Sequence, residues 1–316
     1  MKDNEEEKKT PTKKMFGWPH QDHYYIEALA SMFIMMSIIV YLRGKHENRV
    51  LAANIARDLS HLATTQFSSV FKKGLLTFQT ESNSLFQTYM TGRNLIKGCF
   101  MEISLKKRQD IISKIWNFFM FSYAQVDQLK IDFWLEGMQP LEMLIIKKPQ
   151  MAYYTEAAAH LKELSCKQFQ ELPLYRMITD TPSLYEDMLN EKLIDYLKRN
   201  VIELVHVSDD ANYLRFNHFN VRAIVNLEKV GSDELSDVVE FLIKFSEQIA
   251  DRTFTIPESI LEGNLKKRLD RSKTKIESDT KAKSVSTKVK NVDTPQLSES
   301  IVNARGKKKN NKKKRR

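Results

Sequence analysis

Basic side chains are concentrated at the C-terminal end, and phosphate binding is the chemistry that they predict. Residues 264–316 hold 19 Lys and Arg against 5 Asp and Glu, a net charge of +14 that leaves residues 1–263 at −4. A basic arm on a mildly acidic body is typical of proteins that bind nucleic acid or an anionic membrane surface. No aromatic residue lies among these basic ones, so we expect attraction to backbone phosphates rather than stacking on bases. The predicted contact residues are Lys266, Lys267, Arg268, Arg271, Lys273, Lys275, Lys307, Lys308, Lys309, Lys312, Lys313, Lys314, Arg315 and Arg316.

A second basic group, Lys106, Lys107 and Arg108, lies where the sequence predicts the start of a helix. The positive end of the helix dipole disfavours cations there by about 0.3–1 kcal/mol each. This unfavourable placement suggests an anionic neighbour, either a lipid headgroup or RNA, but a solvated face is the preferred interpretation. For the C-terminal residues, the alternative to an anionic partner is a solvating tail or a nuclear-targeting patch.

Candidate metal and catalytic residues are few. His20, Asp22 and His23 have the composition of a metal site, but a tetrahedral site needs a fourth ligand and exposure to water is the ordinary explanation. His206 and His218 have no Ser or Cys nucleophile at a readable spacing, and His-Glu-x-x-His and Gly-x-Ser-x-Gly do not occur. Nine glycines without a Gly-x-Gly pair also exclude the common nucleotide-binding loops. We therefore predict no metal, no cofactor and no enzymatic activity.

The cysteine content bears on the compartment. Cys99 and Cys166 are the two cysteines of the chain, too few for a disulfide scaffold or a tetrahedral zinc module. They fit a domain that folds in a reducing compartment. Cys99 falls at an inward position of a predicted strand, so we expect it to be a small core residue.

The segment that decides where the basic residues lie in the cell is near the N-terminus and is apolar on every side. Residues Ala28 to Leu42 are interrupted only by the small hydroxyls of Ser31 and Ser37. A surface helix would show a polar stripe with a period of 3.6 residues, so lipid or protein must bury this segment. As a helix, residues 26–42 extend roughly 26 Å, close to the ~27 Å bilayer of the endoplasmic reticulum. We predict a membrane span, with a buried core helix and a cleaved signal as the alternatives.

The ends of this segment have the residues that a span requires. Tyr24 and Tyr25 at one end and Tyr41 at the other would lie in the interfacial belt, and Arg43 stops the apolar run. Glu27 costs roughly 2.5–3.5 kcal/mol at mid-bilayer. It lies one turn from the edge, where it reaches the headgroups or faces a partner helix.

Loop charge leaves the orientation open, because four cations closely follow the span and three precede it. The low cysteine content and the basic end both favour a cytosolic C-terminal part. We therefore divide the chain into a short lumenal segment, a transmembrane helix, a cytosolic α+β domain with a leading helix, and a short basic helix followed by a disordered tail. The predicted boundaries are 1–23, 24–43, 44–256 and 257–316.

Hydrophobic periodicity predicts an α+β domain in the middle of the chain. Alternating apolar residues predict strands at 99–105, 129–135, 141–147, 201–207 and 220–228. Helical spacing predicts helices at 51–71, 111–119, 149–164, 183–199 and 232–249. We expect 129–135 and 141–147 to form a β-hairpin, a loop from Pro173 to Pro182, and a capping box at Ser183. Because strands come in pairs with helices between the pairs, we predict a mixed sheet of hairpin pairs covered by helices.

Several stretches of this sequence resemble the calumin family of coiled-coil domain-containing proteins of the endoplasmic reticulum. The resemblance extends over residues 23–250 and includes YYIEAL and the span that follows it, LKKRQDIISKI after an FMEISL strand, and the strand IELVHVSD. It implies a single span, a short lumenal part and a cytosolic domain. It also implies a subunit of the PAT complex, which pairs with the small membrane protein Asterix near the Sec61 channel and the ribosome.

The resemblance implies a function in the insertion of nascent multi-pass membrane proteins, as an intramembrane chaperone whose basic tail binds ribosomal RNA. The family's acidic lumenal segment is reduced here to Asp3, Glu5 to Glu7 and Asp22, which argues against lumenal calcium binding, and the tail is interrupted by Pro295. Two other interpretations remain: a soluble nucleic-acid-binding or nucleolar protein with 26–42 as a core helix, and a membrane-anchored enzyme with an unrecognised site.

Overall fold

The computed structural model describes residues 23–70, 76–119, 125–157, 159–209, 219–254, 256–270 and 273. The helices are α1 (His23–Gln66), α2 (Ile111–Phe119), α3 (Lys148–Ala157), α4 (Glu191–Lys198), α5 (Ser232–Ala250) and α6 (258–270). The strands are β1 (Ser69–Val70), β2 (Gln79–Thr80), β3 (Leu85–Thr91), β4 (Ile96–Ser104), β5 (Gln128–Leu135), β6 (Glu142–Lys147), β7 (Ser165–Lys167), β8 (Tyr175–Thr179), β9 (Ile202–Ser208) and β10 (Val221–Asn226).

Within the described residues, the strands form one antiparallel sheet in the order β1-β3-β4-β5-β10-β9-β6-β8-β7, with β2 paired to β3. Strand β5 shows why these sequences form strands: Leu129, Ile131 and Phe133 are fully buried on one face, while Lys130 and Asp132 point to the other. This alternation places one apolar face of the sheet against helices.

Helices cover the two faces unequally. The second half of α1 packs with α5 and α4 against one face, where Leu59, Leu197 and Leu242 belong to the main core. Helix α3 and the 3-10 turn Ala159–Glu163 cover part of the other face, over a smaller cluster that includes Ile146. The α+β class predicted from the sequence is confirmed.

Helix α1 is a single helix of 44 residues, about 66 Å long. Its first half projects from the domain: Leu29 is 67% exposed and Ile39 is 60% exposed. Its second half is amphipathic, and Ala52 and Leu59 are buried in the core. The interpretation of residues 26–42 as a buried core helix is therefore wrong.

Two features of the predicted sheet are wrong. All described strand pairings are antiparallel, so the sheet is not mixed. Strands β5 and β6 do not form a hairpin, because β10 and β9 lie between them. A connection over residues 136–141 can span roughly 20 Å, enough to cross the ~14 Å between β5 and β6 at one end of the sheet.

Local predictions failed in the segment before α4. The segment from Pro173 to Pro182, expected to be a loop, contains strand β8. This strand pairs with β6 on one side and with the edge strand β7 on the other. Pro182 begins a short 3-10 helix rather than a capping box at Ser183, and α4 starts only at Glu191. Asn190 caps α4, since its side chain accepts a hydrogen bond from the Leu193 amide.

Candidate functional site at the membrane junction

The exposed half of α1 has the length and composition of a membrane span, and none of its most apolar window is buried in the protein. Tyr24 and Tyr25 are 73% and 75% exposed at its outer end, and Glu27 is also exposed. An unbroken apolar surface of this size is rare on a protein surrounded by water. The predicted membrane residues therefore lie together on the part of α1 that projects from the domain.

The other end of the apolar half lies where α1 meets the domain. The Tyr41 hydroxyl accepts a hydrogen bond from Asn83 at 3.3 Å, and the Lys45 ammonium lies 5.6 Å from the centre of the Tyr41 ring. Two residues after Tyr41, Arg43 forms an ion pair with Glu47 at 2.9 Å. Polar contacts thus begin where the apolar run ends, as is expected for a helix that leaves a membrane.

Gly44 and Asn48, one turn apart on α1, are both buried and hold the helix on the domain. A Cβ atom at Gly44 would overlap the backbone of Arg108 and Gln109. The Asn48 amide group donates to the carbonyl oxygens of Asn83 and Lys106 at 3.0 and 3.1 Å. Since buried amides are stable only when satisfied, this pair fixes both the position and the rotation of α1.

The first predicted basic group belongs to the same junction. Arg108 donates to the Asn48 side chain at 3.0 Å and forms a two-point ion pair with Asp127, at 2.5 and 3.1 Å. Lys106 forms an ion pair with Glu228 at 2.6 Å. The three residues precede α2 rather than starting it. The anionic neighbours of Lys106 and Arg108 are therefore carboxylates of the chain itself, whereas Lys107 is exposed.

Helix α2 follows directly and carries an apolar face outside the core. Ile112, Ile115, Trp116 and Phe119 recur at helical spacing and are 71%, 50%, 61% and 73% exposed. Asp110 caps the helix: its carboxylate accepts hydrogen bonds from the Ile112 amide and the Ser113 hydroxyl at 3.0 and 2.6 Å, and these bonds lower the pKa of Asp110. A helix with this pattern is typical of a membrane surface.

The described part of the C-terminal basic cluster lies on and after α6, and it divides into two kinds of residue. Lys266 and Lys267 are exposed, and Lys273 is 73% exposed and lies 3.9 Å from Asp270. Arg268 instead points inward, is 11% exposed, and lies 2.7 Å from Asp180 and 2.8 Å from Asp209. Arg268 therefore fixes α6 to the ends of β8 and β9.

Burial changes the pKa values of the two acids that contact Arg268. Burial raises the pKa of Asp209 to about 7, even though the Arg268 guanidinium opposes the shift, and it also raises the pKa of Asp180. Asn264, on the same face of α6, donates to the Thr181 hydroxyl at 3.3 Å.

Several predicted residues lie outside the described part of the chain. They are Arg271, Lys275, Lys307, Lys308, Lys309, Lys312, Lys313, Lys314, Arg315 and Arg316 among the basic residues, together with His20, Asp22 and His218. His23 is described as the first residue of α1. Cys99 and His206 are buried in β4 and β9, and burial raises the pKa of the Cys99 thiol well above its usual range. In the described ranges, no group of three His, Cys, Asp or Glu side chains is arranged to hold a metal ion.

Sequence reasoning missed the contacts that hold α1 on the domain. Gly44 was readable as a small residue directly after Arg43, but its neighbours come from a segment more than sixty positions away. Asp127 and Glu228 gave no signal, because an acid beside a strand is ordinary in a soluble domain.

These features define a class of protein in which a helix able to cross a membrane continues without a break into an antiparallel α+β domain. The family model for PAT complex subunit CCDC47 matches residues 23–316, and the chain belongs to this family. The family resemblance inferred from the sequence is therefore confirmed. No protein of curated function matches the chain. Family membership and the apolar helix fit a protein of the endoplasmic reticulum membrane that takes part in membrane-protein insertion.

Proposed function

We propose that this chain is a single-pass protein of the endoplasmic reticulum membrane and a non-enzymatic subunit of the ribosome-associated translocon for multi-pass proteins. Residues 24–43 cross the bilayer, residues 1–23 lie in the lumen, and the α+β domain and the basic end lie in the cytosol. The observation that carries the proposal is the exposed apolar half of α1, which the described residues of the domain leave uncovered and which is continuous with the domain.

The proposed mechanism divides the work among three parts. The span, with an Asterix-like membrane partner, shelters polar helices of nascent multi-pass proteins. The cytosolic domain docks at the Sec61 channel, with the exposed face of α2 resting on the bilayer. The basic end holds ribosomal RNA through its phosphates, with the exposed Lys266 and Lys267 on α6 as its first contacts.

Membrane insertion is tested by alkaline carbonate extraction of microsomes that contain a chain tagged at both ends. We expect the protein in the pellet, the N-terminal tag protected from added protease, and the C-terminal tag digested. Recovery in the carbonate supernatant would contradict the span, and protection of the C-terminal tag would contradict the orientation. A nuclear distribution of the untreated protein would support a nucleic-acid-binding role instead.

Ribosome binding is tested by co-sedimentation over a range of salt concentrations. Each released phosphate contact steepens the decline of affinity with salt. Replacing Lys307, Lys308 and Lys309 by Gln should reduce the slope of log affinity against log salt by about 3. The matched control replaces Lys97, Lys229 and Lys244, three lysines on the domain. An equal slope for both triple variants, or retention at half-molar salt, would contradict an electrostatic tail contact.

A further inference from the structure

A cleft of about 510 Å³ opens beside the second half of α1, close to the membrane junction. One wall is α1 itself, from Arg49 to Ser60, and the other contains Phe78 and Phe86 from the segment before β3 and from β3. The volume lies within the range of ligand sites in proteins. None of the features used above for membrane or phosphate binding includes this cleft.

The cleft is apolar inside and positively charged at its rim. Ala53 and Ala56 face it from α1, so no large side chain of that wall fills it. Arg49 and Arg57, both exposed, lie at the rim eight residues apart, which is about 12 Å along a helix. Arg57 also lies 3.9 Å from Asp58, but the Arg57 side chain is 77% exposed and remains open to a second carboxylate. No acidic side chain is among the described lining residues. An occupant must therefore combine apolar groups with negative charge.

Depth decides between a lipid and a protein as the occupant. If the hydrocarbon ends at Leu42, Arg49 lies about 10 Å and Arg57 about 22 Å beyond it along α1. The headgroup layer on each side of a bilayer is only about 5–7 Å thick, so the cleft lies in water outside the lipid. This step depends on the proposed membrane span.

Neither charged end of the chain suits the cleft. The C-terminal end carries a net charge of +14 and would be repelled by the two arginines. The acidic stretch Glu5 to Glu7 lies, in the proposed topology, on the opposite side.

We propose that the cleft binds the acidic amphipathic helix of a partner protein, which lies along α1 with carboxylates two turns apart on Arg49 and Arg57. Its apolar side chains enter between the alanines of α1 and the phenylalanines of the opposite wall, which is the helix-in-groove mode of recognition. Small side chains on α1 allow the two helix backbones to approach closely.

The test uses the full-length protein in detergent micelles and a fluorescent model peptide. The peptide is a helix with two glutamates two turns apart and leucines between them on the same face, and binding is followed by fluorescence anisotropy. Reversing both charges, Arg49→Glu with Arg57→Glu, should weaken binding by about tenfold. The same variant should gain affinity for a peptide in which lysines replace the glutamates.

A second variant separates the cleft from its charges. Ala53→Trp fills the cleft from an exposed position, and we expect it to weaken binding of the glutamate peptide by about tenfold with both arginines present. The matched controls are Ala152→Trp on α3 and the charge reversals Lys97→Glu with Lys229→Glu, which should bind as the wild type does. Circular dichroism checks that every variant is folded.

Three results would overturn the proposal: no binding to the wild-type protein, equal binding by wild type and Ala53→Trp, or no exchange of peptide preference after charge reversal. Displacement of the peptide by phosphatidylserine micelles, abolished by Ala53→Trp, would identify a lipid site instead. The binding assay needs neither a ribosome nor a defined topology, so its failure is distinct from failure of the proposed translocon function.

Discussion

Gly44 and Asn48 are the two residues on which the orientation of α1 most depends. Glycine at position 44 lets the helix approach the backbone of Arg108. The Asn48 side chain donates hydrogen bonds to backbone carbonyl oxygens of two loops. Neither residue type is informative alone, because glycine and asparagine are common near helix ends. Their meaning comes from the segment packed against them.

We predict that Gly44→Ala lowers the free energy of unfolding by about 1–3 kcal/mol, because the added methyl group overlaps backbone that cannot move aside. Urea unfolding in micelles, followed by circular dichroism, measures the effect. Gly263→Ala on α6 is the matched control, since open space surrounds that position, and it should be neutral or slightly stabilising. Equal stability of the two variants would show that the close contact at Gly44 is not real.

Arg268 belongs to the basic cluster by sequence, but its role in the structure is to hold α6 on the sheet. We predict that Arg268→Gln costs about 3 kcal/mol, because it leaves Asp180 and Asp209 without their shared cation in a buried site. Lys266→Gln with Lys267→Gln should leave unfolding unchanged and weaken ribosome binding. Thermal unfolding and co-sedimentation of both variants test the division, and a destabilised lysine variant would contradict it.

Among the elements, α2 carries an exposed apolar face that we expect to contact the membrane surface. We predict that brominated lipids in nanodiscs quench the fluorescence of Trp116, because its side chain lies on the exposed apolar face. Trp116→Phe should therefore remove much more of the quenched signal than Trp134→Phe, which changes a tryptophan on β5. Equal residual quenching in the two variants would remove α2 from the bilayer surface.

The predictions for individual elements succeeded where the pattern was long and periodic. The strand at 99–105 and the helix at 111–119 are present because alternation and helical spacing are set locally by burial. The pairing of β5 with β10 was not readable, since it depends on contacts such as the buried Arg222–Asp132 ion pair, 90 positions apart. Strand β8 was missed because it is only five residues long, and a short segment flanked by Pro173 and Pro182 is equally typical of a loop.

Stability of the whole domain should depend on pH through the contact between α6 and the sheet. The pKa of Asp209 is raised to about 7, whereas an unfolded chain has a value near ~3.9. The folded state therefore binds more protons between these values, and the free energy of unfolding contributed by this group falls as pH rises through the window.

We predict that the wild type loses about 2 kcal/mol of this contribution between pH 5 and 8, and that Asp209→Asn removes the part due to Asp209, because an amide does not titrate, leaving only the smaller part due to Asp180, whose pKa is also raised. Urea midpoints at the two pH values measure the difference. Asp251→Asn, at an exposed position after α5, is the control and should follow the wild type. A wild-type dependence that persists in Asp209→Asn would assign it to other groups.

For the molecule as a whole, the division into a lumenal segment, a span, a domain and a tail stays a prediction. The apolar run and the charge step at 264 were visible because they are sums over many residues. The candidate site was only partly visible: Tyr41 and Arg43 follow from the edge of the span, but Asp127 and the cleft beside Ala53 exist only once distant segments pack together.

No loop separates the apolar half of α1 from the domain, and this continuity fixes the rotation of α1 about its own axis. Gly44 is held against the backbone of Arg108 two residues after Leu42, so each side chain of the apolar half points in a fixed direction relative to the sheet. One alanine inserted between Leu42 and Gly44 would turn the entire apolar surface by about 100° while leaving the domain in place. The folded domain thus determines which side of the apolar helix a partner would contact.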